Sequence, residues 1–234
     1  FSNTRDVFIE YSEGFKITEV ISGIEFPSVI NTETYVHFRP YQDRLEVNQR
    51  QEGFDFYKGQ AFFNGDLLMQ PTGLTGTGVM ILDKAKVVAN LFTYNANWFG
   101  SETADLDVFA DGGSLAIKAN NLRSYIDLES REGVFNKNGN NSYIEFPVNQ
   151  YVAYIDKLKW SMDEETFTLG DEVAISGKGS KFISVHPDQD SLSFIAKTAN
   201  YSLKDYIIHT NGVDNISVAD AIIYPDSGIV TVEK

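Results

Sequence analysis

Two aspartates separated by one residue stand in a short polar segment, His186–Ser191. Carboxylates at Asp188 and Asp190 can face one cation from a loop, and oxygen ligands suit Ca²⁺. An EF-hand loop would add a third acidic or Asn ligand, a Gly and a terminal Glu, which this segment lacks. Asp and Pro are also common in turns. Two interpretations therefore stay open, a calcium site and a solvated turn, and the same holds for residues 163–165 with 171–172. No other cofactor is predicted.

Aromatic side chains could supply a second kind of chemistry, stacking on sugar rings. The chain is rich in them, with 17 Phe, 12 Tyr and 2 Trp. Trp98, Trp160 and Tyr154 are our candidates for glycan stacking. Aromatic residues at alternate strand positions are also typical of a buried core, which is the competing interpretation.

Catalytic motifs are missing from the sequence. The glycine cluster Gly73–Gly78 has the spacing G-x-x-G-x-G without a following Lys, so it predicts a tight turn rather than a phosphate cradle. There is no G-x-S-x-G nucleophile elbow. Paired carboxylates suffice for glycoside hydrolysis, but 33 acidic residues would place such pairs together by chance. We predict that the chain is not an enzyme, with a polysaccharide-active β-helix enzyme as an alternative.

The amino-acid composition limits the classes of binding partner that we expect. The chain of 234 residues has no Cys and a net charge of -14, with no basic run. Nucleic acid binding depends on Lys and Arg neutralising phosphates, so nucleic acid and anionic lipid surfaces are poor partners. No apolar stretch approaches the roughly 18 residues of a membrane-spanning helix. The partners that remain are other segments of the same long chain, envelope proteins, lipid or glycan.

Strand patterns dominate the chain. Apolar residues alternate with polar ones, as at Ile144, Phe146 and Val148, which is typical of half-buried strands. Asn-Gly and Asp-Gly pairs such as Asn64–Gly65 and Asp111–Gly113 predict tight turns between them. Asp83–Ala96 is ambiguous, because its apolar spacing permits a helix while its β-branched and aromatic residues favour a strand. The sequence predicts an all-β fold.

A loose repeat indicates how the strands are organised. Its unit is an apolar strand with an aromatic anchor, an Asp-containing link and a second strand, and the anchors Tyr125, Trp160, Tyr201 and Tyr224 are 35, 41 and 23 residues apart. Such spacing favours a parallel β-solenoid or an elongated β-jellyroll of stacked short strands, with an antiparallel β-sandwich as the alternative. We predict one repetitive module over 1–234, a fragment of a longer chain, with a sub-boundary near 70–78.

The strand–Asp–turn–Gly–strand pattern resembles the repeats of OstA-type β-jellyroll proteins, which carry lipopolysaccharide across the bacterial periplasm. Ala104–Val108, Asn121–Phe135, Ala153–Leu169 and Val218–Val232 carry the likeness, and Gly73–Leu82 resembles the rungs of large repetitive envelope proteins. The resemblance implies a location in the bacterial envelope, periplasmic or surface-associated. We expect a non-enzymatic structural or scaffold segment, with a lipid- or glycan-binding jellyroll as the alternative.

Overall fold

The structure, a computed structural model, describes residues 2–4, 7–12, 14–17, 20–21, 23–139, 142–170 and 179–234. The predicted all-β fold is confirmed: strands account for most of these residues, and their only helical segments are short 3-10 turns. Asp83–Ala96 illustrates the outcome, since Ala85–Tyr94 is a strand whose buried side chains alternate with exposed ones. Its β-branched and aromatic residues fit a pleated surface better than a helix.

The chain forms two compact units, Phe1–Ala104 with Tyr125–Ser130 and Asp105–Ser124 with Arg131–Lys234. Residues 70–78, the predicted sub-boundary, form the hairpin between two strands of the first unit. The first twelve strands are β1 Ser2–Thr4, β2 Val7–Ser12, β3 Phe15–Ile17, β4 Val20–Ile21, β5 Ile24–Glu25, β6 Val29–Asn31, β7 Thr34–Arg39, β8 Arg44–Gln49, β9 Phe54–Phe56, β10 Ala61–Gln70, β11 Gly73–Ile81 and β12 Ala85–Tyr94.

The remaining strands begin with two long ones, β13 Trp98–Phe109 and β14 Leu115–Asp127. Twelve shorter strands follow: β15 Glu132–Lys137, β16 Ile144–Phe146, β17 Tyr151–Tyr154, β18 Lys157–Ser161, β19 Thr166–Leu169, β20 Ser180–Ser184, β21 Ser193–Ala196, β22 Thr198–Ser202, β23 Ile208–Asn211, β24 Ile216–Val218, β25 Ala221–Ile223 and β26 Ile229–Val232. The 3-10 turns are Pro40–Gln42, Tyr57–Gly59, Pro187–Gln189 and Asp226–Gly228.

Strand pairing is antiparallel, so the prediction of a parallel β-solenoid is wrong and the β-sandwich alternative fits. The physical reason lies in the connections. Short turns such as Asp111–Gly113, where the Gly113 N–H donates to the Ala110 carbonyl at 3.0 Å, can only join antiparallel neighbours. A parallel crossover needs a connection of about a dozen residues or more.

The first unit branches at β10. Its first half pairs with β9, and β9 continues to β6 and β3. Its second half pairs with β8, and β8 continues to β7 and β2. One long strand therefore connects two lines of shorter strands.

Glycines allow two long strands to approach closely at this branch. Gly65 on β10 faces Gly78 on β11, and a Cβ on Gly78 would lie 2.2 Å from the Asn64 carbonyl oxygen. The predicted turns at Asn64–Gly65 and Gly73–Gly78 are therefore wrong, because both segments lie within strands and the chain reverses at residues 71–72. Glycine here serves close backbone approach rather than chain reversal.

Aromatic rings fill the interior of the first unit. Phe56 and Phe63 lie 5.7 Å apart, and Phe63 contacts Phe92 at 6.0 Å, all of them 0% exposed. Phe99 continues the cluster at 5.9 Å from Phe92. Rings at these distances and tilts add to the stabilisation that burial alone supplies.

The second unit contains two series of antiparallel strands. Series A runs β14–β16–β17–β20–β21–β24–β25 through successive hydrogen-bonded pairs. Series B runs β15–β18–β19–β22–β23–β26. The chain places hairpins alternately in the two series: β16–β17 in A, β18–β19 in B, β20–β21 in A and β22–β23 in B.

The two series bury their inner faces against each other. Phe146 of series A contacts Tyr201 of series B at 5.0 Å between ring centroids, and both are 0% exposed. Inner-face side chains fill the space with rings, among them Phe182 and Phe194, stacked at 5.2 Å. The alternation of buried and exposed residues along each strand follows from this packing.

The repeat anchors divide into two groups. Trp160 and Tyr201, 41 residues apart, are both the fourth residue of a series B strand, and both are buried. Tyr224 follows the series A strand β25 and is 75% exposed, so it does not occupy an equivalent position. Trp160 and Tyr201 therefore occupy equivalent positions in their strands, and the repeat as a whole stays a prediction.

Candidate functional site

The predicted calcium loop is held by its own hydrogen bonds. Asp188 lies in the 3-10 turn Pro187–Gln189, where its N–H donates to His186 Nδ1 at 3.1 Å, and Asp190 adopts a left-handed conformation with φ of 43°. Both carboxylates are exposed. Within the described ranges, no third Asp, Glu or His joins them. Hydrogen bonds within the segment therefore explain the conformation of the turn. A calcium ion there would have only the two exposed carboxylates as described acidic ligands.

The second acidic segment forms an ion pair. Asp163 accepts a hydrogen bond from Arg131 Nε across a turn of the second unit. Its predicted companions Asp171 and Glu172 lie outside the described residues. An exposed pair of this kind contributes little to stability.

Trp160 is a core residue. Its indole is 3% exposed and stacks on Phe167, opposite it on β19, at 5.5 Å with an interplanar angle of 8°. The prediction that Trp160 stacks on a glycan is therefore corrected, because a sugar in solvent cannot reach a buried ring. The alternation of Leu158 and Trp160 with Lys157 and Lys159 carried this signal in the sequence.

Trp98 belongs to an aromatic pair in the first unit. The half-buried indole lies 5.2 Å from Tyr125, which is 42% exposed. The Tyr125 hydroxyl lies 3.4 Å from Asp127 Oδ2. Partial burial, and then the neighbouring carboxylate, raise the pKa of Tyr125. The pair remains partly accessible to a ligand from solvent.

Tyr154 lies on the outer face of series A and is 45% exposed. Its ring is 6.1 Å from that of Tyr143, which immediately precedes β16. Lys181 on β20 stands opposite Tyr154, and Ile195 on β21 stands opposite Lys181. We call these four side chains the aromatic row. The row crosses four neighbouring chain segments at right angles to the strands.

The outer face of series A has large apolar side chains beside polar ones: Val152 faces Glu145 of β16, and Ile183 faces Ser193 of β21. Val152 and Ile183, opposite each other on β17 and β20, are half-buried. Ile195 is 53% exposed, and Ile222 on β25 is 60% exposed. Sequence analysis missed Tyr143, Lys181 and Ile195 because only the strand register brings them to Tyr154.

The outer face of series B is polar. Lys159, Thr168, Asn200 and His209 stand opposite one another on successive strands. Lys159 Nζ is 2.7 Å from Glu132 Oε1, and Thr168 Oγ1 is 2.9 Å from Asn200 Oδ1. Hydrogen-bonded and charged groups of this kind are well hydrated, so this face suits water.

The groups with perturbed pKa values belong mainly to the interiors of the two units. Burial raises the pKa of Tyr57, Tyr94 and Tyr201 well above the usual value of a phenol. These shifts move away from neutrality, whereas a general acid or base works best with a pKa near the operating pH. The hydroxyls of Tyr94 and Tyr201 are buried without a hydrogen-bond partner among the described residues.

Among the described residues, two of the clefts belong to the first unit. One, of about 530 Å³, is polar and is lined by Glu25, Lys58, Asn97 and Glu129, with Asn97 Nδ2 donating to Glu129 Oε2 at 2.6 Å. The other, of about 480 Å³, is mainly apolar, and its lining includes Ile24, Phe26, Phe38, Arg44, Leu45 and Met69. The apolar cleft is the one with the chemistry to accept an alkyl chain.

Comparison with known proteins gives no family. The sequence matches no protein-family model and no curated protein. In the described part of the chain, no helix is long and apolar enough to cross a membrane.

Proposed function

We propose that the chain is a non-enzymatic structural scaffold, a segment of a long repetitive protein of the bacterial envelope or surface. In this role its hairpins add length and present a surface to other segments of the same chain or to envelope proteins. The observation that carries the proposal is the alternation of hairpins between series A and series B in the second unit.

The alternation supports a scaffold because each added hairpin needs to pair only with the neighbouring hairpins of its own series. Each hairpin pairs with the previous and the next hairpin of its own series, as β17 does with β20 and β21 does with β24. Series B follows the same rule at β19–β22 and β23–β26. Architectures in which each unit contacts mainly its neighbours can be extended without redesign of a central core.

Rings fill much of the second unit, which favours a scaffold over a carrier, although a cleft of about 490 Å³ also opens there, lined in part by Tyr151, Leu192, Ile216 and Val232. Phe146, Phe167, Phe182 and Tyr201 occupy the space between the two series and are all 0% exposed. A lipid carried between the sheets would need that space. The envelope location depends on the resemblance of the strand–Asp–turn pattern to OstA-type repeats.

Hydrogen exchange on the whole chain tests the local rule. Ile208→Ala removes a fully buried side chain on β23 and should lower amide protection in β22, β23, β26 and the strands facing them. Protection in β15 should stay within error. Ile195→Ala is the matched control, because Ile195 is 53% exposed, and it should change protection nowhere. Uniform loss of protection across the second unit after Ile208→Ala would contradict the local rule.

The non-enzymatic part of the proposal has its own test. The protein should release no reducing ends or unsaturated products from a panel of neutral and anionic polysaccharides. A product that is lost when Glu25 and Glu129 of the polar cleft are changed to Gln would overturn the proposal.

Lipid binding is a second candidate, favoured by the apolar cleft of the first unit. Arg44 lies at this cleft, where its Nη2 is paired with Glu46 but its Nε is buried without a partner among the described residues, so Nε could donate to an acidic head group. Titration with oleate should then give saturable binding, and Met69→Trp should abolish it by filling the cleft. Absence of saturable binding by the unchanged protein would remove this candidate.

A further inference from the structure

We propose that the aromatic row on the outer face of series A binds a linear, uncharged glycan laid across the strands. The proposal goes beyond the scaffold function and does not depend on it. It depends on the chemistry, spacing and charge of Tyr143, Tyr154, Lys181 and Ile195.

Stacking is the first contribution. The rings of Tyr143 and Tyr154 are partly exposed and inclined at 46° to each other. The C–H groups on the face of a pyranose carry a small positive charge, and the face of an aromatic ring is negative. Two neighbouring tyrosines can thus each contact one sugar of a chain that follows the row.

Spacing is the second contribution. The row runs from the segment before β16 through β17 and β20 to β21, because Tyr154 is opposite Lys181 and Lys181 is opposite Ile195. Neighbouring strands are about 4.8 Å apart, close to the advance of a glycan chain per pyranose. Successive sugars would therefore meet successive members of the row.

Charge decides the class of glycan. The chain carries a net charge of -14, so a polyanionic polysaccharide is repelled as a whole. Lys181 is exposed, lies between Tyr154 and Ile195, and forms no ion pair with a described residue. Its ammonium group has three donors for sugar hydroxyls. The combination of two rings and one donor fits a neutral chain.

The test is calorimetric titration of the whole chain with cellohexaose, a flat neutral hexasaccharide whose rings expose C–H faces on both sides. We expect saturable binding. Tyr154→Ala should weaken it about tenfold, because one stacking ring is lost. Tyr154→Phe keeps the ring and should bind within about twofold of the unchanged protein. Lys181→Met should weaken binding about fivefold through the lost hydrogen bonds.

Matched controls separate this site from general stickiness. Tyr41→Ala removes a tyrosine that is 82% exposed but lies in the first unit, so it should leave binding unchanged. Lys159→Met removes the corresponding lysine of the polar series B face and should also have no effect. Maltohexaose has the same composition but coils, and should bind at least about fivefold more weakly because it cannot lie flat on the row.

Three results would overturn the proposal. The first is no binding of cellohexaose by the unchanged protein. The second is equal loss of binding in Tyr41→Ala and Tyr154→Ala. The third is self-association of the protein through the row, seen as a concentration-dependent mass that Tyr154→Ala and Ile195→Thr abolish, with no effect of cellohexaose on it. None of these results bears on the alternating hairpins behind the scaffold proposal.

Discussion

Series A and series B share one interior and present different faces to solvent. Lys159, Thr168 and Asn200 make the series B face polar. Tyr154 and Ile195 expose large apolar surfaces on the outer face of series A. The inner side chains of both series pack against each other in one interior, so both sets are apolar or aromatic. The outer side chains are not constrained by interior packing. The difference between the two outer faces therefore indicates that the two faces have different environments.

The physical basis of this contrast is that exposed apolar side chains contribute little to folding. Single ones are normal on protein surfaces, whereas contiguous patches mark places where something binds. On series A, Val152 on β17 faces Ile183 on β20, and Ile195 on β21 faces Lys181. The inner residues therefore serve stability, and the exposed apolar residues of series A support the binding site proposed above.

The largest effect should come from truncating an inner aromatic residue. Trp160→Ala should lower the free energy of unfolding by about 3–5 kcal/mol, because it leaves a cavity beside Phe167. Tyr154→Ala on the outer face should change it by no more than about 0.5 kcal/mol. Urea denaturation of both variants measures the difference. Equal destabilisation would break the distinction between inner and outer aromatic residues.

A smaller effect, of opposite sign, is expected at Tyr201. Its hydroxyl is buried without a partner among the described residues, so Tyr201→Phe should raise the free energy of unfolding by about 1 kcal/mol. Burial raises the pKa of Tyr201 in the folded state above its unfolded value. The unchanged protein should therefore lose stability as the pH rises above about 10, and Tyr201→Phe should lose less.

The polar outer surface of the first unit extends the comparison. Glu46 lies 3.0 Å from Arg39 and 2.8 Å from Arg44. Burial alone would raise the pKa of Glu46, but the hydrogen bond from Arg39 and the charges of both arginines lower it. This contribution is present above the unfolded pKa and is lost as the pH falls through the folded one.

Glu46→Gln should therefore lower the free energy of unfolding by less than about 1 kcal/mol at neutral pH. The difference from the unchanged protein should shrink as the pH falls below about 4.5, as acid-dependent thermal unfolding would record. A difference that grows towards acid pH would contradict the conclusion that Arg39 and Arg44 stabilise the ionised form of Glu46.

The smallest change in stability should follow from exchanging side chains between the two outer faces. Ile195→Thr on series A and Thr168→Ile on series B should each alter the free energy of unfolding by no more than about 0.5 kcal/mol. Binding of a hydrophobic dye should nevertheless fall in the first variant and rise in the second, because dye binding follows exposed apolar area. Unchanged dye fluorescence in both would show that the faces are equivalent.

The inward-facing residues were partly predictable from sequence. Leu158 and Trp160 alternate with Lys157 and Lys159, so one parity is apolar and the inner face is readable. In Tyr151–Tyr154 both parities are apolar, and sequence does not separate the buried Tyr151 from the exposed Tyr154. Alternation specifies a strand but cannot specify a face when both sides are hydrophobic.

Pairing partners and bends were not predictable in the same way. The short turns indicated hairpins, but the placement of successive hairpins in alternate series depends on contacts such as Phe146–Tyr201, which join residues 55 positions apart. Glycine is typical of turns, but Gly65 and Gly78 lie within strands, where the absence of a Cβ permits the two backbones to approach closely. The aromatic row likewise exists only through the register of β17, β20 and β21.

Hydroxyl-radical footprinting of the whole chain can decide whether the interior between series A and series B is filled, because it measures side-chain exposure residue by residue. The account predicts slow oxidation of Trp160, Phe167 and Tyr201 and fast oxidation of Tyr154 and Ile195, relative to their intrinsic reactivities. Oxidation of Trp160 and Phe167 as fast as that of Tyr154 would contradict it, because the interior between the two series would then be open rather than filled.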